Sequence, residues 1–362
     1  MKVLILSSAC CIHTRRWCNG LAGRGIDVHL LSQQTPMDGY DERVKIYALP
    51  HRGLKGYILN VNHVKSIVAD INPDIVNVHY ASGYGTLIML TGIRDYVMSV
   101  WGSDVYDFPK KSLFHKWLVE KNLNNSKVIC STSKVMAKHC RDFFNIHSSI
   151  DIIETPFGVN VDKFKSISKD EHFYSKNKKV IIGTVKTLRP KYGIDVLIHA
   201  ISLLIRSGIS DIEVQIAGVG WQKDELVKLS EDLGVSKYIN FLGWVENDKV
   251  PEVLDNFDIY VAPSTLDSES FGVAIVEASS CSLPVVVSNV GGLPEVVVNN
   301  KTGIVIEPNN ANLLYEALKC LINNPEKRRE FGENGRINVE DNYDWEKCLD
   351  KMIDVYKMAL EK

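Results

Sequence analysis

The sequence predicts an α/β protein made of two doubly wound domains in tandem, each a parallel sheet with helices on both faces. Three observations predict it. Short apolar runs alternate with helical patterns through the first half. The rhythm breaks at a segment holding Pro156 and Gly158 and then a Lys- and Ser-rich stretch, and the same alternation restarts after it.

In chain order, Val3 to Leu6, Val28 to Leu31, Ile75 to Val78, Val97 to Val100 and Val128 to Cys130 read as strands. Between and after them Arg16 to Ala22, Gly56 to Ala69, Leu113 to Leu123 and Val135 to Phe143 carry the helical spacing of apolar residues. Thr155 to Lys179 reads as the interdomain connection. The second set of strands is Val180 to Gly183, Val214 to Ala217, Ile239 to Leu242, Ile259 to Ala262 and Val285 to Val287. Its helices are Ile194 to Arg206, Asp224 to Leu233, Val250 to Asn256 (with Asn247 as a cap) and Gly272 to Ser280. An amphipathic helix, Trp345 to Leu360, ends the chain. The expected domains are 1–165 and 166–343, with 344–362 packing back on the first. Ligands of open parallel sheets bind beyond the carboxyl ends of the strands. Gly183, Gly218, Gly243 and Ser264 mark such ends, so the substrate is expected there, between the domains.

Composition narrows the class. The chain has 362 residues, 45% hydrophobic and 24% charged, as a soluble globular protein has. A net charge of -2 argues against broad nucleic-acid binding. The eight cysteines form no Cys-x-x-Cys pair, which points to reduced thiols and the cytoplasm rather than to disulfides or zinc. The apolar N-terminal run is too brief to span a membrane and reads better as a first strand.

The strongest motif is ESFGVAIVE, Glu269 to Glu277, followed by GGLPE, Gly291 to Glu295. Gly272 opens an apolar helix whose leading N–H groups lack helical partners and carry partial positive charge, which suits an anion such as a diphosphate. Eight residues of helical rise is about 12 Å. Carboxylates so far apart cannot act as a retaining hydrolase pair, which needs about 5 Å. They suit two groups that hold different hydroxyls of one long ligand. A capping Glu and a buried, ion-paired Glu would account for either residue singly, but poorly for the whole string.

On these residues, the stretch from about Val180 to Leu318 resembles glycosyltransferase family four, the group 1 retaining enzymes of GT-B architecture. The N-terminal half and TPFGVNVDKF (Thr155 to Phe164) resemble it more loosely. The resemblance implies two Rossmann-like domains facing across a cleft. It implies that Glu269 contacts the donor sugar, that Glu277 holds the ribose hydroxyls, and that amides around Ser270, Phe271 and Gly272 approach the sugar and diphosphate.

A second signal is GTVKTLRPKYGID, Gly183 to Asp195, a loop after a strand that carries Lys186, Arg189 and Lys191. Such a loop is a natural seat for a departing diphosphate. The family usually places Arg and, five residues on, Lys before a Gly. Aligned on Gly193, those positions hold Thr187 and Tyr192. Aligned on spacing, Lys186 and Lys191 take both roles and Tyr192 is an insertion, the alignment preferred because the chemistry needs two positive charges. AGVGWQKDEL contributes a Gly218–Gly220 turn that could bring backbone close to a nucleotide, and lacks the third Gly of a dinucleotide fingerprint. FLGWV places Val245 as a backbone contact to the donor base, with Trp244 expected to pack.

The N-terminal half is expected to hold the acceptor, through His13 and Arg16 of CIHTRRW, His79 of HYASGYG, and Trp101 and Asp104 of SVWGSD. Many relatives carry a His at the place of Trp101. Here either Asp104 or His13 serves instead, or Trp101 shapes the pocket. The Lys110 to Leu123 helix mixes cations with Leu113, Phe114, Trp117 and Leu118. A membrane-facing helix and a surface helix with one face in the core both fit, the second slightly better.

The expected function is retaining transfer of a sugar from a UDP- or GDP-sugar to a glycan or lipid-linked saccharide of a cell-surface polysaccharide. Neither metal nor cofactor is expected, since no Asp-x-Asp motif is present and the nucleotide sugar is a co-substrate. The expected place is the cytoplasm, with or without peripheral contact at the inner membrane face. The alternatives are a nucleotide-sugar epimerase or phosphorylase on the same fold, and a non-catalytic nucleotide-sugar-binding module.

Overall fold

The computed structural model describes residues 1–166 and 179–362. The Lys- and Ser-rich stretch 167–178, read above as part of the interdomain connection, lies outside the described residues. The chain divides into two compact units, Met1–Phe157 with Glu346–Lys362, and Gly158–Trp345.

The first unit holds strands β1 (Lys2–Leu6), β2 (Asp27–Ser32), β3 (Lys45–Ala48), β4 (Ile75–His79), β5 (Tyr96–Val100), β6 (Ser126–Ser131) and β7 (Asp151–Glu154). Their order across the sheet is β3-β2-β1-β4-β5-β6-β7, every pair parallel. The second unit holds β8 (Val180–Val185), β9 (Ile212–Ala217), β10 (Ile239–Gly243), β11 (Ile259–Ala262), β12 (Val285–Ser288) and β13 (Gly303–Ile306). Their order is β10-β9-β8-β11-β12-β13, again all parallel. Each sheet therefore grows outward from its first strand in one direction and then in the other. Its strand carboxyl ends all lie along one edge, where the connecting loops carry the polar motifs.

Burial follows the apolar runs. β5, β11 and β12 are buried at every residue because helices cover both faces. The edge strands β3 and β7 have no fully buried residue. The helix Gly83–Thr91 was not expected; it is apolar on nearly all sides and has no amphipathic stripe to betray it. Asn247 does not cap the helix Val250–Asp255. It opens a short 3-10 turn, and Lys249 occupies the cap position with no side-chain bond.

The transition between units falls at Phe157/Gly158 rather than at 165. The segment after Gly158 is tied into the second unit by Ser280 Oγ on the Phe164 carbonyl (2.6 Å) and by Arg336 on the carbonyls of Val161 and Phe164 (both 2.8 Å). The helix Trp345–Glu361 buries Cys348, Leu349, Met352, Val355, Tyr356 and Ala359. Arg24 meets its first turns through Glu346 and Asp350, both at 2.7 Å. None of the eight cysteines is in a disulfide; five are buried, and Cys10 and Cys320 are exposed.

Candidate functional site

In the second unit, the loop leaving β8 is fixed by backbone. The Lys186 N–H donates to the Ala217 carbonyl at 2.9 Å, and Leu188 N–H to Val219 at 3.0 Å. The glycines of the facing turn exist for this contact. A Cβ on Gly218 would stand 1.9 Å from the Lys186 carbonyl oxygen, and one on Gly220 would stand 2.0 Å from that of Leu188. The close approach that the Gly218–Gly220 turn provides is thus to the cation loop.

Lys186 reaches Glu269, 83 residues away in sequence, at 2.5 Å, with side chains only 10% and 12% exposed. Burial alone would weaken the Lys186 ammonium. The Glu269 carboxylate, helped by the Tyr260 and Tyr192 hydroxyls, outweighs it and holds the pKa above the ordinary lysine value. Lys186 Nζ also lies 5.0 Å from the centre of the Tyr192 ring, and Lys191 Nζ lies 4.8 Å from the same ring. Arg189 is exposed.

Glu269 is held from the other side by the GGLPE motif. Gly292 N–H donates to the Glu269 carbonyl at 3.0 Å, and a Cβ on Gly291 would meet that oxygen at 2.3 Å. Gly272 has φ of +88°, a conformation that favours glycine, and turns the chain into the helix Val273–Ser280. Ser270, Phe271 and Glu277 are buried, and Phe271 packs edge-on against Tyr343 at 5.6 Å. Glu269 and Glu277 both act electrostatically on the buried Tyr260, whose hydroxyl burial pushes up to about 12.

Around these groups lie features the sequence did not reveal. Ser264, Ser268, Thr184 and Ser288 bury hydroxyl oxygens with no hydrogen-bond partner. All four belong to carboxyl ends of strands β8, β11 and β12 or to the loops that follow them. Leaving such groups unpaired costs about 1–3 kcal/mol each, which a polar ligand can recover. Only Ser264 carried a signal, as a polar residue closing an apolar run. Val245 is half-buried beyond β10. The packing role expected of Trp244 is not found: it is 73% exposed, directly after Gly243, whose φ is +75°.

In the first unit, the residues expected on the acceptor side gather at the carboxyl ends of β1, β4 and β5. Trp101 sits among rings, 4.6 Å from His79, 5.4 Å from Tyr80, 5.3 Å from Phe157 and 6.0 Å from His13. His13 stacks on Phe157 at 4.3 Å. Tyr80 adopts φ of +72°, unusual for a bulky residue, to bring the chain out of β4 there. Burial pulls the His13 pKa down to about 3, with the Arg16 charge adding to it, and burial does the same to His79. His79 Nδ1 bonds Ser7 Oγ at 3.0 Å, while His13 Nδ1 is buried without a partner.

Asp104 is committed elsewhere. One carboxylate oxygen accepts Ala81 N–H at 2.8 Å, the other Trp101 N–H at 3.1 Å and Gly102 N–H at 2.9 Å. It knots the loop that presents Trp101. Among the described residues, no group of three His, Cys, Asp or Glu is placed to hold a metal ion, and no helix is long and apolar enough to cross a membrane.

Comparison with known proteins covers both units. Residues 166–338 match the family model for glycosyl transferases group 1, and residues 2–133 match that for glycosyl transferase 4-like proteins. An uncharacterised glycosyltransferase of Methanocaldococcus jannaschii is 29% identical over 344 residues, 92% of this chain and 90% of that one. The GDP-mannose-dependent alpha-(1-6)-phosphatidylinositol monomannoside mannosyltransferase of Mycolicibacterium smegmatis is 26% identical over 231 residues, 61% of this chain and 60% of its own length. Among solved structures, Anabaena HepE in complex with UDP superposes with a TM-score of 0.81 at 16% identity, covering 99% of this chain and 100% of that one. The fold is GT-B.

Proposed function

This chain belongs to the group 1 glycosyltransferases, and from that premise we propose that it moves a sugar, with retention, from a UDP- or GDP-sugar to a glycan or lipid-linked saccharide. The observation that carries the reading is the buried Lys186–Glu269 pair beside Lys191. A group suited to a sugar hydroxyl and two suited to a diphosphate are brought together ahead of the helix that begins after Gly272. The names of the mannosyltransferase relative and of the UDP complex support a nucleotide diphosphate as the carrier.

In the proposed step the bond between the sugar's anomeric carbon and the diphosphate oxygen breaks. A bond forms from that carbon to the acceptor oxygen on the same face, and the acceptor's proton passes to the departing diphosphate. Lys186, Lys191 and the free N–H groups of the helix Val273–Ser280 stabilise the growing negative charge. Glu269 holds the sugar, Glu277 the ribose, and Ser270, Phe271, Gly218, Val245 and Arg189 line the donor. His13, Arg16, His79 and Trp101 form the acceptor side. No metal and no cofactor takes part. Screening UDP-, GDP- and ADP-sugars by thermal stabilisation finds the donor, since a ligand at 100 times its Kd adds about 2.7 kcal/mol. Product NMR on the donor that stabilises then reads the anomeric configuration. An inverted product, or no stabilisation by any of the three, defeats the proposal.

The acceptor is proposed to be met at a membrane surface. The first turns of the helix Leu113–Asn124 expose Leu113 (86%), Phe114 (63%) and Trp117 (50%), with Lys110, Lys111, Lys116 and Lys121 around them. Only its far end is buried, through Val119, Asn122 and Leu123. Apolar rings rimmed by cations suit an anionic bilayer. Flotation with vesicles containing anionic lipid tests this. The wild type should float and a Phe114→Ser/Trp117→Ser variant should not.

A further inference from the structure

Tyr192 is the residue by which the cation loop departs from the family spacing, and the structure gives it a place of its own. Its ring centre is 5.0 Å from Lys186 Nζ and 4.8 Å from Lys191 Nζ. We infer that Tyr192 is a positioning residue whose ring holds Lys186 and Lys191 together as a pair of cations for one diphosphate. This rests on the donor site proposed above and adds to it a group that touches neither sugar nor nucleotide.

The physical case has two parts. Two ammonium groups brought to one site repel each other, and each carries a long side chain that is entropically costly to hold. An aromatic ring attracts a cation through the negative charge over its face, by about 0.5–1 kcal/mol at an exposed site and about 2 when desolvated. One ring contacted by both ammoniums opposes the repulsion and shortens the search of both chains before donor arrives.

The ring itself is well anchored. Pro190–Tyr192 forms a 3-10 turn in which Tyr192 N–H donates to Arg189 at 3.0 Å. Gly193 follows with φ of +65°, and a Cβ there would lie 1.9 Å from the Pro263 carbonyl oxygen. Thr265 N–H donates to the Lys191 carbonyl at 2.8 Å. The backbone on both sides of Tyr192 is thus tied to the strand end that leads to Glu269, while Lys186 is tied to Glu269 by its charge. In the sequence, the extra residue before Gly193 looked like a disturbance of the pattern. In the fold it supplies one aromatic ring that both lysine ammonium groups approach.

The test is steady-state kinetics with the donor identified by stabilisation, on Tyr192→Leu, Tyr192→Gln and Tyr192→Phe. Contacts worth about 0.5–2 kcal/mol in the transition state correspond to about 2- to 30-fold in rate. Leu and Gln are each expected to lower kcat about 10-fold with KM for the donor changed less than about 3-fold, and Phe, which keeps the ring, to stay within about 2-fold of wild type. In a Lys186→Ala/Lys191→Ala background, Tyr192→Leu should change neither turnover nor affinity for free nucleoside diphosphate further. The inference is overturned if Leu and Gln keep kcat within 2-fold, if Phe is as damaging as Leu, or if the Leu effect persists without the lysines. If Lys186→Ala and Lys191→Ala themselves keep near-normal turnover, it is the donor-site reading that fails. If the lysines matter and Tyr192 does not, only this inference fails.

Discussion

Lys186→Met removes the positive charge from a pair whose charged atoms lie 2.5 Å apart, with side chains 10% and 12% exposed. Breaking a buried pair by removing one partner costs about 3–5 kcal/mol, because the other charge is left buried and unpaired. For a domain of this size, 1 kcal/mol moves Tm by about 2–4 °C, so a loss on the order of 10 °C is expected. Lys186→Met/Glu269→Leu removes both charges and puts apolar groups in their place, which is often neutral in stability. The double variant should therefore melt close to wild type. Turnover should behave otherwise. If Lys186 stabilises the departing diphosphate, its loss lowers kcat by about 100-fold or more, the scale of one preorganised charge-stabilising group, and donor affinity falls much less. The double variant cannot restore that charge, so its turnover should stay low while its stability recovers. Thermal melts and kinetics on folded protein, well below each melt, separate the two effects. Recovery of turnover along with stability in the double variant would refute the reasoning, because the pair would then be structural. The sign of the lysine shift adds a check. Its folded pKa is raised, so the pair's contribution is fully present below the unfolded lysine value of 10.5 and is lost as pH rises beyond it.

Other outcomes follow from the same site. Glu277→Ala should weaken binding of free nucleoside diphosphate, read by calorimetry, since its carboxylate is proposed to hold the ribose; unchanged affinity removes it from the site. Turnover should survive excess EDTA in full, and activity recovered only with magnesium or manganese would overturn the cation-loop assignment. His13 and His79 are neutral in the fold, their values pulled from 6.5 to about 3 by burial. A depressed value of this kind means that stability is present above about 6.5 and is lost as pH falls toward 3, by up to about 1.4 kcal/mol per pH unit for each histidine. His13→Phe should flatten the fall of Tm between pH 6.5 and 4, and an unchanged slope would exclude His13 from that fall.

Central strands were legible in the sequence because burial on both faces writes them as plain apolar runs. Val3 to Leu6 and Ile259 to Ala262 are such runs, and β1 and β11 stand there. The edge strands β3 and β7 were not, because a half-exposed strand such as KIYA or DIIE carries neither a run nor a clean alternation. For the same reason in reverse, the helix Gly83–Thr91 was hidden by being apolar all round. At the site, the local motif from Glu269 to Glu277 was readable, since its physics is that of one strand end and one helix start. Pairing across sequence was not. Nothing in GTVKTLRPKYG says that Lys186 meets Glu269, or that Tyr192 meets both lysines. The glycines of AGVGW advertised a close approach without saying to what, and the partner is the Lys186 loop. Exposure of Trp244 runs against the sequence reading because a large ring next to an apolar strand is usually packed, and here it follows the positive-φ Gly243 and stays exposed.

The residues proposed for the acceptor side bear on where the proton would go. A general base near neutral pH needs a free atom and a value near the working pH. Asp104 has neither oxygen free, since three backbone N–H groups occupy them. His79 is tied to Ser7, and His13, though Nδ1 is open, is buried to a value of about 3, far too weak to take a proton from a sugar hydroxyl on its own. At the place where the family resemblance implies a histidine, Trp101 offers only an indole N–H donor and a ring face. These residues can orient an acceptor by stacking and by hydrogen bonds to a neutral imidazole, but they are poor proton acceptors. The departing diphosphate gains negative charge as its bond to the sugar breaks, so its basicity rises at the moment when the acceptor proton must leave. That coincidence supports the same-face transfer proposed above. On that proposal the lysine pair must strike a balance, with enough positive charge to help the diphosphate leave and not so much as to stop it from taking the proton. Adding a charge should then also harm. Thr187→Arg, placed beside Lys186 in the same loop, is expected to tighten nucleoside diphosphate binding and to lower kcat. A rise in kcat would show that charge stabilisation alone limits the step.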